Sequence, residues 1–373
     1  MKKLLLGLLA SAMLVSACGH LGPTGTARTG TGAGALDLAD GARGAYDLIT
    51  LPDQGPGPLI KAIKDAQKSV QLEIYMITNS GAAADVVTAL IERAHAGVDV
   101  RVILETQPYI PATPPHCDTP PPMDVNKKAR EALIAGGVRL KYSSPKFKYT
   151  HEKSMVIDGS TAYIMTTNFT GSAFQNNREY VIVSREPADV QEVANVFEAD
   201  WNERWYTPSN PNIVLSPTNS RSQIRALIAS ATKSIAMEIE FASDPELIAL
   251  LGEKAKHGVD VTAMMSAQGV DKCTGSSING DELKLFNNAG ITKVAFMKKL
   301  TLHAKAIVVD GARVYVGSEN LSANSLDNNR ELGIIVSDRR VVGKILDTIK
   351  KDWFATTATP ADFPMPDTPF DGD

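Results

Sequence analysis

The stretch Thr150-His151-Glu152-Lys153-Ser154-Met155-Val156-Ile157-Asp158-Gly159 occurs twice; its second copy is Leu302-His303-Ala304-Lys305-Ala306-Ile307-Val308-Val309-Asp310-Gly311. In each copy His and Lys stand two residues apart, the run then turns apolar and β-branched, and Asp-Gly closes it. Side chains on a strand alternate between faces, so this spacing puts His and Lys on the same face. Asp-Gly followed by another apolar run, Ala162-Tyr163-Ile164-Met165 or Val314-Tyr315-Val316, reads as a tight hairpin. Each copy then presents one imidazole and one ammonium on a rigid sheet. That is an anion site holding a nucleophile or a proton carrier.

The repetition spreads outward from the hairpins. A helix leading into a strand, Leu59 to Ile74, is echoed by Gln223 to Ile239, with Leu59, Ile63 and Ala66 against Ile224, Leu227 and Ile228 at helical spacing. A second helix and strand follow, Ala94 to Leu104 against Lys256 to Met264, and a third helix ends in Gly136-Gly137 or Gly290. Each half closes with a strand and an amphipathic helix carrying Trp201 and Trp205, or Trp353. Helices alternating with strands predict an α/β fold of two pseudo-symmetric lobes. Each lobe is expected to hold a mixed, mostly parallel sheet flanked by helices, with the site at the lobe interface. The lobes are expected over 46–210 and 211–356.

Downstream of the hairpins the matching continues in register. Thr166-Thr167-Asn168 answers Ser318-Glu319-Asn320, and Asn177-Arg178-Glu179 answers Asn329-Arg330-Glu331, all at an offset of 152 residues. One His-x-Lys carries little information; two in register, each followed by Asn and Glu, are specific. The sequence resembles the phospholipase D superfamily, with its paired His-x-Lys-x4-Asp motifs, over essentially the whole stretch from Tyr46 to Ala355. The second copy matches the family pattern through Gly317-Ser318-Glu319-Asn320. The first departs from it: Met165-Thr166 stand where Gly-Ser is expected, and Thr166 keeps only the hydroxyl.

The resemblance implies a phosphodiesterase in which His151 attacks phosphorus to give a phosphohistidine and His303 protonates the leaving alcohol. Lys153, Lys305, Asn168 and Asn320 would donate to the non-bridging oxygens, and Glu179 and Glu331 would each orient the imidazole of their own half. Thr166, Ser318, Asp158 and Asp310 are expected to support these groups structurally, since Asp-Gly is a good turn in its own right. No cofactor is expected, because two lysines supply the positive charge. No metal site is expected either, because His116-Cys117 lacks a second ligand pair at metal-binding spacing. Glu73 and Glu238 are mid-strand carboxylates in both halves, facing either an arginine or backbone or the cleft.

The first seventeen residues read as a signal peptide: Lys2-Lys3, an apolar run from Leu4 to Val15, and then Ser16-Ala17-Cys18-Gly19. This resembles the lipobox of bacterial lipoproteins, which implies a lipid-anchored Cys18 and an outer-membrane location facing the periplasm. Residues 18–45 are then a Gly- and Thr-rich tether, and 357–373 a disordered Pro- and Asp-rich tail. Loss of Lys2 and Lys3 takes the net charge from −4 to −6, a poor balance for a general nucleic-acid binder. Cys117 and Cys273 fall in corresponding loops and could pair in an oxidising compartment.

Envelope address and acidic body together point to phospholipid as substrate, cut at the head-group phosphodiester, with the chain working as a monomer because it carries both half-sites. A metal-independent endonuclease of the same superfamily is the first alternative. A cardiolipin synthase-like phosphatidyltransferase is the next, placed third because such enzymes normally carry membrane-spanning helices. An inactive envelope scaffold, with Met165 as its one support, is the last.

Overall fold

The structure, a computed structural model, describes residues 44–109, 124–266, 269–270, 273 and 277–357. The segment 1–43, with Cys18, and the loop holding Cys117 lie outside the described residues, as does the tail from residue 358. Among the described residues no helix is long and apolar enough to cross a membrane.

Lobe 1 contains β1 (Tyr46–Leu51), α1 (Gly57–Asp65), β2 (Ser69–Ile74), α2 (Ala82–His95), β3 (Asp99–Leu104), α3 (Lys127–Ala135) and β4 (Arg139–Tyr142). The His151 hairpin follows as β5 (Lys153–Ile157) and β6 (Thr161–Met165), then α4 (Gly171–Gln175), β7 (Asn177–Ser184) and α5 (Pro187–Trp201). Lobe 2 repeats the plan with β8 (Ile213–Ser216), α6 (Ser220–Ala229), β9 (Ser234–Ile239), α7 (Pro245–Lys256) and β10 (Asp260–Met265). A short pair, β11 (Gly269–Val270) and β12 (Ser277–Ile278), precedes α8 (Gly280–Asn288), β13 (Lys293–Phe296) and β14 (Thr301–Leu302). The second hairpin is β15 (Lys305–Val309) with β16 (Arg313–Gly317), followed by α9 (Ala323–Asp327), β17 (Glu331–Val336) and α10 (Arg339–Thr357).

The sheets run β1-β7-β6-β5-β2-β3-β4 and β13-β10-β9-β15-β16-β17-β8. Both are mixed, but parallel pairing is the smaller share, against expectation. Apart from β14·β7, which joins the lobes, only β2·β3, β3·β4, β9·β10 and β10·β13 are parallel among the described strands. The reason is the connections. Helical crossovers join the parallel strands, whereas the His hairpins return by tight turns, with three residues between the paired strands, that force antiparallel neighbours. Those turns have positive φ at their first two residues, Asp158 and Gly159 in one and Asp310 and Gly311 in the other, as the right-handed twist of a hairpin requires.

Apolar burial follows three layers. Helices α1, α2 and α3 cover the outer face of the first sheet with Leu59, Ile63, Val86, Leu90 and Leu133, and α6, α7 and α8 do the same for the second with Ile224, Leu251 and Phe286. The largest cluster lies between the sheets, where Val156, Ile164 and Ile182 of lobe 1 meet Val308, Val316, Ile334 and the α10 residues Ile345 and Trp353. This shared core makes the two lobes one body. The edges that bear the motifs are thereby fixed against each other.

Candidate active site

Two reciprocal strand contacts across the lobe boundary build the site. β14 of lobe 2 pairs in parallel with β7 of lobe 1, Leu302 opposite Arg178; its counterpart is the bridge of Thr150 with Arg330. His151 N–H donates to the Arg330 carbonyl at 2.8 Å, and His303 N–H to the Arg178 carbonyl at 3.3 Å. Each His therefore enters beside the Asn-Arg-Glu triplet of the opposite lobe.

That crossing corrects the expected pairing of imidazole and carboxylate. Nδ1 of His151 is 2.7 Å from Oε2 of Glu331, and Nδ1 of His303 is 2.8 Å from Oε1 of Glu179, the latter at ion-pair distance but off the line of a hydrogen bond. Neither Glu serves its own half. Both carboxylates are fully buried. Although burial opposes ionisation, the facing His, the nearby Lys and a hydroxyl hold each below the usual carboxylate range. For Glu179 that hydroxyl is Thr166, 2.5 Å away; for Glu331 it is Ser325. Asn177 and Asn329 donate to Glu179 and Glu331 at 3.2 and 2.8 Å.

Ring contacts leave Nε2 of each His as the nitrogen free to do chemistry. Burial first, and then Lys153, lower the proton affinity of His151 against the opposing pull of Glu331, which favours the neutral imidazole. Lys153 and Lys305 are fully buried and donate back to the carbonyls of His151 and His303 at 2.6 and 2.7 Å. Burial, and then the neighbouring Lys305, push the Lys153 ammonium down to about 7. Asn320 Nδ2 points at Glu240 Oε2, 3.2 Å away, while Asn168 is buried with its Oδ1 unpartnered. Two imidazoles, two lysines and the Asn320 carboxamide thus come from both lobes to one place.

Asp158 and Asp310 lie elsewhere, at the far ends of the hairpins. Asp158 accepts from the backbone N–H of Gln67, Lys68 and Ser69, and Asp310 from those of Thr232, Lys233 and Ser234. These bonds outweigh burial and hold both carboxyls below their usual range. Each locks the start of the central strand, β2 or β9, to its hairpin. Ser318 receives the Leu332 N–H at 3.1 Å, as Thr166 receives that of Tyr180 at 2.9 Å. Cys273 is disulfide-bonded.

Met165 proves to be a packing change. A Cβ on Gly317 would lie 2.4 Å from the Tyr315 hydroxyl, which donates to Glu319 at 2.5 Å. Lobe 1 has Thr167 in place of Glu319, and Met165 is buried in that lobe's outer core.

Three features escaped the sequence reading. Arg178 reaches across to Asp352 of α10 with Nε 2.5 Å from Oδ2, and Arg330 reaches Asp200 of α5 at 2.8 Å. Both arginines stand in the repeated Asn-Arg-Glu triplets, which was the available signal. Their partners explain the mid-strand carboxylates: Glu238 accepts from Tyr180 at 2.7 Å beside Arg178 and Asp352, and Glu73 sits with Glu152 and Asp200 around Arg330. Burial raises all four of these carboxyls, Glu152 and Glu238 to about 8, and in the lobe 1 cluster the Arg330 guanidinium opposes that rise. The third feature is Glu240, beside His303.

A family profile described as "Cardiolipin synthase, PLD-like domain" matches residues 59–201 and 224–353. Cardiolipin synthase 2 of Bacillus cereus is 22% identical over 334 residues, 82% of this chain and 63% of that protein. The major cardiolipin synthase ClsA of Bacillus subtilis is 26% identical over 349 residues, 83% of this chain and 68% of that protein. The chain thus spans about two thirds of the length of these relatives. Among solved structures, phosphatidylserine synthase of Haemophilus influenzae superposes with a TM-score of 0.62 at 11% identity, over 83% of this chain and 86% of that one. With both motif-bearing halves matched and the two lobes closed around them, the chain belongs to the phospholipase D-like family that this profile describes.

Proposed function

We propose that this protein moves a phosphatidyl group from one alcohol to another through a phosphohistidine on His151. The observation that carries the chemistry is the pair of imidazoles, each with Nδ1 engaged by a buried carboxylate of the other lobe. His151 Nε2 attacks phosphorus, and His303 Nε2 gives its proton to the departing oxygen. An incoming hydroxyl then returns that proton to His303 as its oxygen displaces His151. Lys153, Lys305, Asn168 and Asn320 meet the growing charge on the non-bridging oxygens, where one well-placed donor contributes about 3 kcal/mol. Transfer to an alcohol, rather than hydrolysis, is favoured by the cardiolipin synthases among the relatives. Hydrolysis to phosphatidic acid uses the same intermediate with water as acceptor and is the second reading.

The test offers phosphatidylglycerol vesicles and single-stranded DNA together. Cardiolipin with free glycerol is the expected product. Phosphatidic acid alone would replace transfer by hydrolysis, and DNA fragments alone would replace both by a nuclease.

The site also sets a pH dependence. Lys153 carries its charge below about 7 and loses it as pH rises through that value. For the free enzyme, kcat/KM is therefore expected to fall on the alkaline side of pH 7. Lys153→Arg, whose guanidinium does not titrate in this range, is expected to remove that limb whatever it does to the maximum. A limb that survives the substitution would belong to another group.

A further inference from the structure

The pseudo-symmetry of the site fails beside the two motif lysines. Ile74 of β2 pairs with Lys153 and Ile239 of β9 pairs with Lys305, so the residues that follow, Tyr75 and Glu240, are equivalent. The Tyr75 ring stands edge-on to His151, with centroids 4.5 Å apart, and the Lys153 ammonium lies 5.1 Å from it. Glu240 instead places a carboxylate beside His303. Its Oε2 accepts from Lys305 at 2.6 Å and Asn320 at 3.2 Å, and lies 3.7 Å from His303 Nε2. A third of its side chain remains exposed. Burial opposes its ionisation, yet His303, Lys305 and His151 hold it well below the usual carboxylate range.

In-line displacement puts the attacking and departing atoms on opposite sides of phosphorus. With His151 as nucleophile, the alcohol that leaves, and later the alcohol that enters, occupies the His303 side. A fixed negative charge meets it there.

We propose that Glu240 selects this alcohol at its reacting end: it accepts a hydrogen bond from a hydroxyl or ammonium donor close to the reacting oxygen and rejects a negative charge in that place, whereas the phosphodiester of a phosphatidylglycerol acceptor lies farther along its glycerol. The inference rests on the phosphatidyl-transfer reading and names the acceptor class for it. In the second half-reaction the acceptor O–H gives its proton to His303 Nε2 as its oxygen bonds to phosphorus and the bond from phosphorus to His151 breaks. Glu240 holds a neighbouring donor of the same alcohol. The competing role is structural, a counter-charge for the buried Lys305, and such a role would not discriminate among acceptors.

The experiment gives the full chain phosphatidylglycerol vesicles with equal concentrations of 1,3-propanediol and 3-hydroxypropionate, which differ by one negative charge. The ratio of the two exchange products is measured. The wild-type protein is expected to favour the diol about tenfold or more, since like charges within a few ångströms in a partly buried site repel strongly. Glu240→Gln, of the same size, is expected to bring the ratio close to one. An unchanged ratio in the variant would leave Glu240 as a counter-charge only. A wild-type ratio near one overturns the proposal without any variant, so a misfolded Glu240→Gln does not shield it. Absence of any exchange product from the wild type, with phosphatidic acid formed, would overturn the transfer reading itself and the acceptor selection with it.

Discussion

His151→Asn is expected to abolish covalent capture of the phosphatidyl group on every substrate, whereas His303→Asn spares it when the leaving group needs no proton. On phosphatidylglycerol both variants should lose turnover, by about 10⁴-fold or more for the nucleophile and about 10² to 10⁴-fold for the acid. On a phosphatidyl ester of 4-nitrophenol, whose phenolate leaves unaided, the two should separate. His303→Asn is expected to release nitrophenolate in a burst and to accumulate a phosphatidyl adduct visible by intact-protein mass spectrometry. His151→Asn is expected to give neither. The asymmetry follows from surroundings that differ although the motifs match. His151 is a partly buried imidazole of lowered proton affinity against an aromatic ring, which suits attack by a nitrogen lone pair. A burst from His151→Asn and none from His303→Asn would exchange the two roles.

How much of this was legible in the chain divides along a physical line. Features set within one half were readable. Asp158-Gly159 and Asp310-Gly311 had to be turns because φ > 0 at both positions suits few other residue pairs. The equal offset of His, Lys, Asn and Glu between halves fixed two equivalent half-sites. What depends on contact between the halves was not readable, since a repeat looks the same whether its partners pair within a copy or between copies. The Glu179–His303 and Glu331–His151 pairs are of that kind. So are Arg178 with Asp352 and Arg330 with Asp200, side chains 174 and 130 residues apart. The share of parallel pairing differs from expectation for another reason: each His hairpin adds antiparallel neighbours that outnumber the pairs made by helical crossovers. Glu240 was hidden by its setting. A carboxylate after an apolar strand reads as solvated, and only its place next to Lys305, answering Tyr75 next to Lys153, gives it meaning.

The crossed carboxylates make a prediction that the in-half arrangement would reverse. Glu331→Gln removes the charge that orients His151, and Glu179→Gln the one that orients His303. By analogy with an orienting Asp in a Ser-His-Asp triad, each is expected to cost about 10² to 10⁴-fold in turnover on phosphatidylglycerol. The 4-nitrophenyl ester distinguishes them. Glu179→Gln impairs only the acid, so its burst of nitrophenolate should survive. Glu331→Gln impairs the nucleophile, so its burst should slow by a factor close to its loss on the natural ester. Were each Glu serving its own half, Glu179→Gln would slow the burst and Glu331→Gln would spare it. Folding does not confound the comparison, since both sites are equally buried and both carboxylates keep hydrogen-bond donors, Thr166 and Asn177 in one case and Ser325 and Asn329 in the other. Either substitution is expected to cost about 1 to 3 kcal/mol of stability, measured by denaturant unfolding. A shared and similar loss of stability with opposite burst behaviour would place each catalytic His under the control of the lobe it does not belong to.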